Sequence, residues 1–200
     1  MKRVVITGAG TINALGHDVP TTMAAMRDGV CGIGPLDIPD VGRLAVQIGA
    51  QVRGYDEHAH FNRQQIALYD RFTQFTLLAA AEAIVQSGIE FHGDLANRSG
   101  VILGTSGGGL TTQDENYRAV YEEGKNRVHP FIVPKLMNNA AASHVSMQYN
   151  LRGPSFTVAT ACASSNHAMG LAFQMIRSGA AVAMLTGGSE AMLCFGGIKA

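Results

Sequence analysis

The sequence predicts an α/β domain whose strands form a mostly parallel sheet covered on both faces. Three observations predict it. Five short apolar runs rich in β-branched residues are continuous rather than alternating, the pattern of strands buried on two sides. Stretches with helical spacing lie between them. The 24 glycines of the 200-residue chain recur where the apolar runs end, which is how strand-to-helix turns are punctuated.

In chain order, a first strand is expected over 3–7 (RVVIT), directly before Gly8 and Gly10, and a helix over 21–28. The stretch 33–63, with Pro35, Pro39, Gly42, Gly49 and Gly54, is irregular, an excursion around one strand at 44–52. A long helix is expected over 63–87, a strand over 101–105, and helices over 113–123 and 137–149. Strand 156–160 leads into a helix over 164–178, where Ala168, Leu171, Ala172, Met175 and Ile176 fall at helical spacing and Gly179 supplies the stop. The last strand, 181–185, is followed by an apolar run over 191–200 whose only charge is Lys199. Such an ending leaves a core element without its covering layer and points to one half of a larger body.

Composition narrows the function. Hydrophobic residues make up 46% of the chain, enough for a real core, while fifteen Lys plus Arg balance fifteen Asp plus Glu. With no net charge there is no long-range field to hold a polyanion, so nucleic acid is not an expected partner. The uncharged stretch 153–176 is membrane-sized, but its Ser155, Thr157, Thr160, Ser164, Ser165, Asn166, His167 and Gln174 mark buried protein and no membrane span. The N-terminus lacks a signal peptide's apolar segment, so a cytoplasmic location is expected. Cys31, Cys162 and Cys194 are odd in number and contain no CxxC pair, which fits free thiols rather than disulfides or zinc. No GxxxxGK, HExxH or EF-hand pattern occurs, and neither a metal nor a cofactor is expected.

Two glycine clusters admit sharper readings. Gly8 and Gly10 begin a dinucleotide fingerprint, yet position 13, where its third glycine belongs, is Asn13. An ordinary tight turn explains them. The run 104–108 (GTSGG) satisfies GxSxG and would make Ser106 a hydrolase nucleophile. Only His129, His144 and His167 follow it, none in a recognisable context, so this stands as the alternative from another class.

The most informative segment is 156–167 (FTVATACASSNH). A strand ends near Thr160, a helix starts near Ser164, and Cys162 sits at the turn between them. A helix N-terminus favours a thiolate at its mouth, and backbone amides there can receive an oxyanion. Ala161, Ala163 and Ser164 leave room for a carbonyl to approach. A free cysteine is equally often a small buried hydrophobe, and spacing alone leaves both readings open. His167, five residues on, is about 140° around the helix axis from Cys162. It is expected to be a buried, hydrogen-bonded histidine rather than a base; Cys31 and Cys194 are expected to be core or interface thiols.

These residues resemble the β-ketoacyl-acyl-carrier-protein synthases, condensing enzymes of the thiolase superfamily. The likeness covers the whole chain and rests on six motifs in order: 3–10 (RVVITGAG), 104–110 (GTSGGGL), 130–134 (PFIVP), 151–154 (LRGP), 160–165 (TACASS) and 187–190 (GGSE). It implies a thiolase-like layered αβαβα fold, with residues 1–200 as the nucleophile-bearing N-terminal half. By the same resemblance Cys162 is the acyl-accepting nucleophile and its N–H is half of an oxyanion hole. Gly107 and Ala161 match positions lining the acyl pocket, and Ile132 matches one that crosses a two-fold interface. The implied reaction is acyl transfer to Cys162, then decarboxylative Claisen condensation with malonyl carrier to give a 3-oxoacyl product, in fatty acid or type II polyketide assembly.

The implied partners are acyl carrier protein and a second copy of the chain. Family members are about twice as long, and their two catalytic histidines, assisting lysine and second oxyanion donor have no counterpart in these residues. Of the basic face that many members offer the carrier, Arg63 remains, with Lys125 and Arg127 as possible substitutes. Gly107 replaces a bulky gate, which predicts a pocket more open near the thiol. Within the fold the alternatives are a degradative thiolase, and a noncatalytic chain-length subunit that would ordinarily lack the cysteine.

Overall fold

The computed structural model describes residues 2–200. The chain forms, in order, α1 (Val19–Arg27), β1 (Gly34–Pro35), β2 (Ile48–Gly49), α2 (Arg63–Leu68), α3 (Arg71–Ser87), α4 (Gly93–Asn97), β3 (Ser99–Gly104), α5 (Leu110–Tyr121), α6 (Ile132–Leu136), α7 (Ala140–Gln148), β4 (Ser155–Val158), α8 (Ser164–Ser178), β5 (Ala183–Gly188) and α9 (Phe195–Lys199). Single 3-10 turns, Val41–Arg43 and Glu57–Ala59, interrupt the excursion before α2.

β3 is the centre. All six of its residues are buried, and it pairs in parallel with β4 on one side and β5 on the other. Side chains of a strand alternate between faces, so Val101 and Leu103 meet Phe72, Leu77, Ala141 and Val145 from α3 and α7, while Ile102 meets Ala168 and Ala172 of α8. The result is helix, sheet, helix. The continuous apolar run that marked this strand has its cause in that double covering. Small residues Ala140, Ala141 and Ala142 put α7 close to the sheet, and α3 packs behind α7.

Several sequence expectations need correction. Residues 3–7 form no strand: Val5 and Ile6 are exposed at 61% and 92%, and no described strand lies beside them to complete a ladder. Gly8 and Gly10 instead press directly on the α3 carbonyls of Ala83 and Ala79. The two glycines thus serve close backbone approach to a helix rather than the tight turn after a strand that was expected. Residues 44–52 give only the Ile48–Gly49 bridge to β1, antiparallel. The long helix expected over 63–87 is broken at Tyr69 and Asp70, because Asp70 is pulled into the core as the cap of α3. Its Oδ1 accepts from Phe72 N–H (3.1 Å), and its Oδ2 accepts from Thr112 N–H (2.9 Å) and the Thr112 hydroxyl (2.6 Å) on α5. The helix of 164–178 is found with those bounds, with Gly179 in the left-handed region (φ 87°) as its stop. His167 is exposed, since no described element covers the outer face of α8, where Met169, Leu171 and Phe173 are exposed too. Of the two thiols expected in a core or an interface, Cys194 is in the core, and Cys31 is exposed on this chain and so is not a core thiol.

His144 on α7 lies edge-on to Tyr69, with ring centroids 4.5 Å apart. Burial lowers its pKa from the ordinary 6.5, so the folded chain takes up its proton at lower pH than the unfolded chain does. Stability from this site is present above about pH 6.5 and falls as acid protonates the unfolded state first. Urea midpoints measured between about pH 7 and pH 5 should therefore decline more steeply for the parent chain than for His144→Asn. Equal slopes would show that His144 titrates alike in both states.

Candidate active site

In an open parallel sheet, ligand sites form beyond the carboxyl ends of the strands. Here the three strand exits carry the three motifs: β3 opens into 105–109, β4 into the Cys162 turn, and β5 into Ser189 and Glu190. Their backbones touch. A Cβ on Gly104 would coincide with the Ser164 carbonyl group, and one on Gly188 would meet Ser165 Cβ (2.6 Å) and Gly104 O (2.7 Å). Thr105 N–H donates to Val158 O (3.2 Å) and Ser189 N–H to Gly104 O (3.1 Å). Glycines at these two strand ends let the head of α8 sit directly against the sheet.

The turn itself is stapled by Ser164. Its buried hydroxyl accepts from Thr160 N–H (2.8 Å) and donates to Ala161 O (2.6 Å). Between those contacts Ala161 adopts φ 50°, a left-handed conformation that costs a non-glycine residue on the order of 1 kcal/mol or more. Ala163 N–H and Ser164 N–H are bonded back to Thr160 O and Ala161 O, whereas the N–H groups of Ala161 and Cys162 have no such partner among the described residues. The Cys162 thiol is exposed.

A second clamp holds the neighbouring loop. The Glu190 carboxylate accepts from the Thr105 hydroxyl (2.9 Å), Ser106 N–H (2.8 Å), the Ser106 hydroxyl (2.7 Å) and Gly107 N–H (3.2 Å). This removes the hydrolase reading of Ser106. Its hydroxyl is given to a carboxylate rather than to a histidine, the loop amides are already occupied, and Leu110 begins α5 too far on to make a strand-to-helix elbow.

Ala161 and Cys162 thus share one turn, and Gly107 lies in the adjoining strand-end loop. Ile132 is further out, at the start of α6, which leans on the glycine loop through Gly109 N–H to Leu136 O (3.0 Å). Gly107 does not leave open space. An ideal Cβ there would meet Met192 Sδ, Cγ and Cε at 3.0, 3.2 and 3.3 Å, so the thioether occupies the volume that the sequence left vacant. Sequence reasoning assigned no role to Glu190 or Met192 and took Ser164 for a small neighbour only. Glu190 had a signal: it is the sole charge between Ser178 and Ile198.

Two cavities lie nearby, and Cys162 lines neither. One of 220 Å³ lies behind Met192, where apolar side chains alternate with the charged Asp37, Arg71, Asp114, Glu115, Arg118 and Glu190; the other, 380 Å³ and polar, lies under α2 between Glu57, Glu115 and Lys135. Glu115 has its carboxyl pKa raised, chiefly by burial. Among the described residues no group of three or more His, Cys, Asp or Glu side chains could hold a metal ion, and no helix is long and apolar enough to cross a membrane.

Comparison with known proteins identifies a family and a fold. The family described as "Beta-ketoacyl synthase, N-terminal domain" matches residues 1–200. A "Nodulation protein E" from a Rhizobium strain is 42% identical over 199 residues, covering 100% of this chain and 49% of that protein. A "3-oxoacyl-[acyl-carrier-protein] synthase 2" from Staphylococcus aureus is 35% identical over 190 residues, covering 95% of this chain and 46% of that protein. The chain therefore spans about half the length of the relatives it matches. Among solved structures, a type II polyketide ketosynthase in complex with its acyl carrier protein superposes with TM-score 0.82 at 23% identity, covering 100% of this chain and 53% of that one. A β-ketoacyl synthase from Burkholderia phymatum gives 0.75 at 28% identity, with 90% and 45% covered. The layered, thiolase-like fold expected from the sequence is the fold of these ketosynthases.

Proposed function

The chain belongs to the β-ketoacyl synthase family, and from that premise we propose that it is the nucleophile-bearing half of a β-ketoacyl-acyl-carrier-protein synthase, with Cys162 as the acyl acceptor. The observation that carries this reading is the Cys162 turn: an exposed thiol, a left-handed Ala161 behind it, an N–H without an internal acceptor, and the start of α8 beside it. In the proposed step the thiolate attacks a carrier-bound thioester. The Sγ–acyl bond forms, the carrier's C–S bond breaks, and the carrier thiol leaves with a proton. The Cys162 N–H donates to the oxyanion during the transfer.

Gly107 and Ala161 border the acyl site in this reading, and Ile132 projects from α6 toward a second copy. A homodimer fits the apolar surface around it, where Tyr121, Phe131 and Val133 are exposed. Condensation with malonyl carrier, in the cytoplasm, is assigned to the whole protein. The acyl carrier is the expected partner, docking near Arg63 of α2 and the exposed 122–131 loop. There Lys125 is already paired with Glu123 (2.7 Å), which leaves Arg63 and Arg127 as the cations to recognise an acidic carrier.

The test is intact mass after treatment with cerulenin or an acyl-carrier thioester, followed by peptide mapping. One adduct on Cys162 is expected, and none at that peptide in Cys162→Ala. Because Cys31 is also exposed, a label confined to Cys31, or equal labelling of both variants, would remove Cys162 from the proposed role.

A further inference from the structure

The serine at the head of α8 turns its hydroxyl backwards. A serine that opens a helix ordinarily accepts from an N–H of the first turn ahead of it, yet α8 starts without a side-chain cap. The Ser164 hydroxyl instead accepts from Thr160 N–H (2.8 Å) and donates to Ala161 O (2.6 Å). Ser164 N–H donates to the same carbonyl (3.1 Å), so two donors of one residue grip Ala161 O. Ser164 is itself held in place: it is buried, and its carbonyl group is pressed against Gly104, where no Cβ fits.

The peptide that joins Ala161 to Cys162 is planar and trans, so its C=O and N–H point in opposite directions. Drawing Ala161 O toward Ser164 therefore aims Cys162 N–H away from the head of α8, and that N–H has no acceptor among the described residues. The direction is kept against strain. Ala161 has φ 50°, a conformation that glycine adopts freely and alanine does not. Without the grip on its carbonyl, the peptide relieves that strain by rotating, and the N–H loses its aim. We infer that Ser164 is a positioning residue for acyl transfer, its hydroxyl holding the Ala161–Cys162 peptide so that Cys162 N–H faces the developing oxyanion. The inference rests on Cys162 being the acyl acceptor. The hydroxyl acts through the peptide plane and takes no part in making or breaking bonds.

The experiment compares two reactions of the same thiol, each read at the Cys162 peptide by mass. Transfer from butanoyl N-acetylcysteamine thioester forms the Cys162–acyl bond as the donor's C–S bond breaks, and that thiol leaves with the proton. It passes through an oxyanion. Alkylation by iodoacetamide forms an S–C bond as C–I breaks, releasing iodide and a proton, and makes no oxyanion. In Ser164→Ala, alkylation should stay within about twofold of the parent rate, because it needs only a reachable thiolate. That result also certifies that the turn is still folded. The transfer-to-alkylation ratio should fall at least about tenfold, toward the loss that follows removal of an oxyanion donor. Adding Ala161→Gly to Ser164→Ala should raise the ratio again by about fivefold, since glycine holds the left-handed conformation without strain. A ratio unchanged in Ser164→Ala, or a double variant no better than the single one, with loading still lost in Cys162→Ala, would overturn the positioning role and leave the acceptor in place. If the parent chain takes up no butanoyl group at Cys162, the acceptor assignment fails and the role of Ser164 fails with it.

Discussion

Asp70→Ala should lower the free energy of unfolding by about 3 kcal/mol, the largest stability loss expected from a single polar truncation in this chain. Asp70 is 1% exposed and serves two elements at once, capping α3 through Phe72 N–H and tying α5 through both donors of Thr112. Alanine removes the cap, worth about 1 kcal/mol, and leaves the buried Thr112 N–H and hydroxyl without an acceptor, at about 1–3 kcal/mol more. Asp70→Asn keeps one carbonyl oxygen and should lose roughly half as much. Urea unfolding at constant slope measures both. A loss under about 1 kcal/mol for the alanine variant would mean that Thr112 is rescued by solvent and that Asp70 is not the joint between the two helices.

The second large effect falls on the site. Gly104→Ala places a methyl group onto the Ser164 carbonyl, so β3 and the head of α8 must separate. The shift reaches the Ser164 staple directly, and with it the left-handed Ala161 and Cys162. Acyl transfer to Cys162 from butanoyl N-acetylcysteamine thioester should slow by on the order of 10²-fold, the usual consequence of about 1 Å of misplacement at a reacting atom. Exposed Cys31 supplies an internal reference for ordinary thiol reactivity, so the Cys162-to-Cys31 labelling ratio is the readout. A folded Gly104→Ala chain with the parent ratio would show that the contact between strand and helix does not position the thiol.

Both predictions concern contacts that join distant parts of the chain, and that is where reading the sequence alone stopped. The strands around residues 101–105 and 156–160 and the helix of 164–178 were legible because each is a local pattern: an unbroken apolar run, a 3.6-residue repeat, a glycine stop. The break at Asp70 was not legible. Nothing in the residues near 70 announces that Thr112, 42 positions later, will offer two donors to its carboxylate. Residues 3–7 failed for the converse reason, since their β-branched pattern is genuine but a strand needs a neighbour, and none of the described strands lies beside them.

Sequence by itself determined the three-layer α/β architecture, the turn that presents Cys162 and the family. These follow from periodicities and motifs written within a few consecutive residues. Only the tertiary structure decided that Glu190 occupies the amides of the 105–107 loop, that Ser164 staples the cysteine turn and that Met192 fills the space above Gly107. Those outcomes depend on which strand ends meet, and parallel strands separated by dozens of residues are brought together by the burial of β3 on both faces, not by any local preference of the segments that touch.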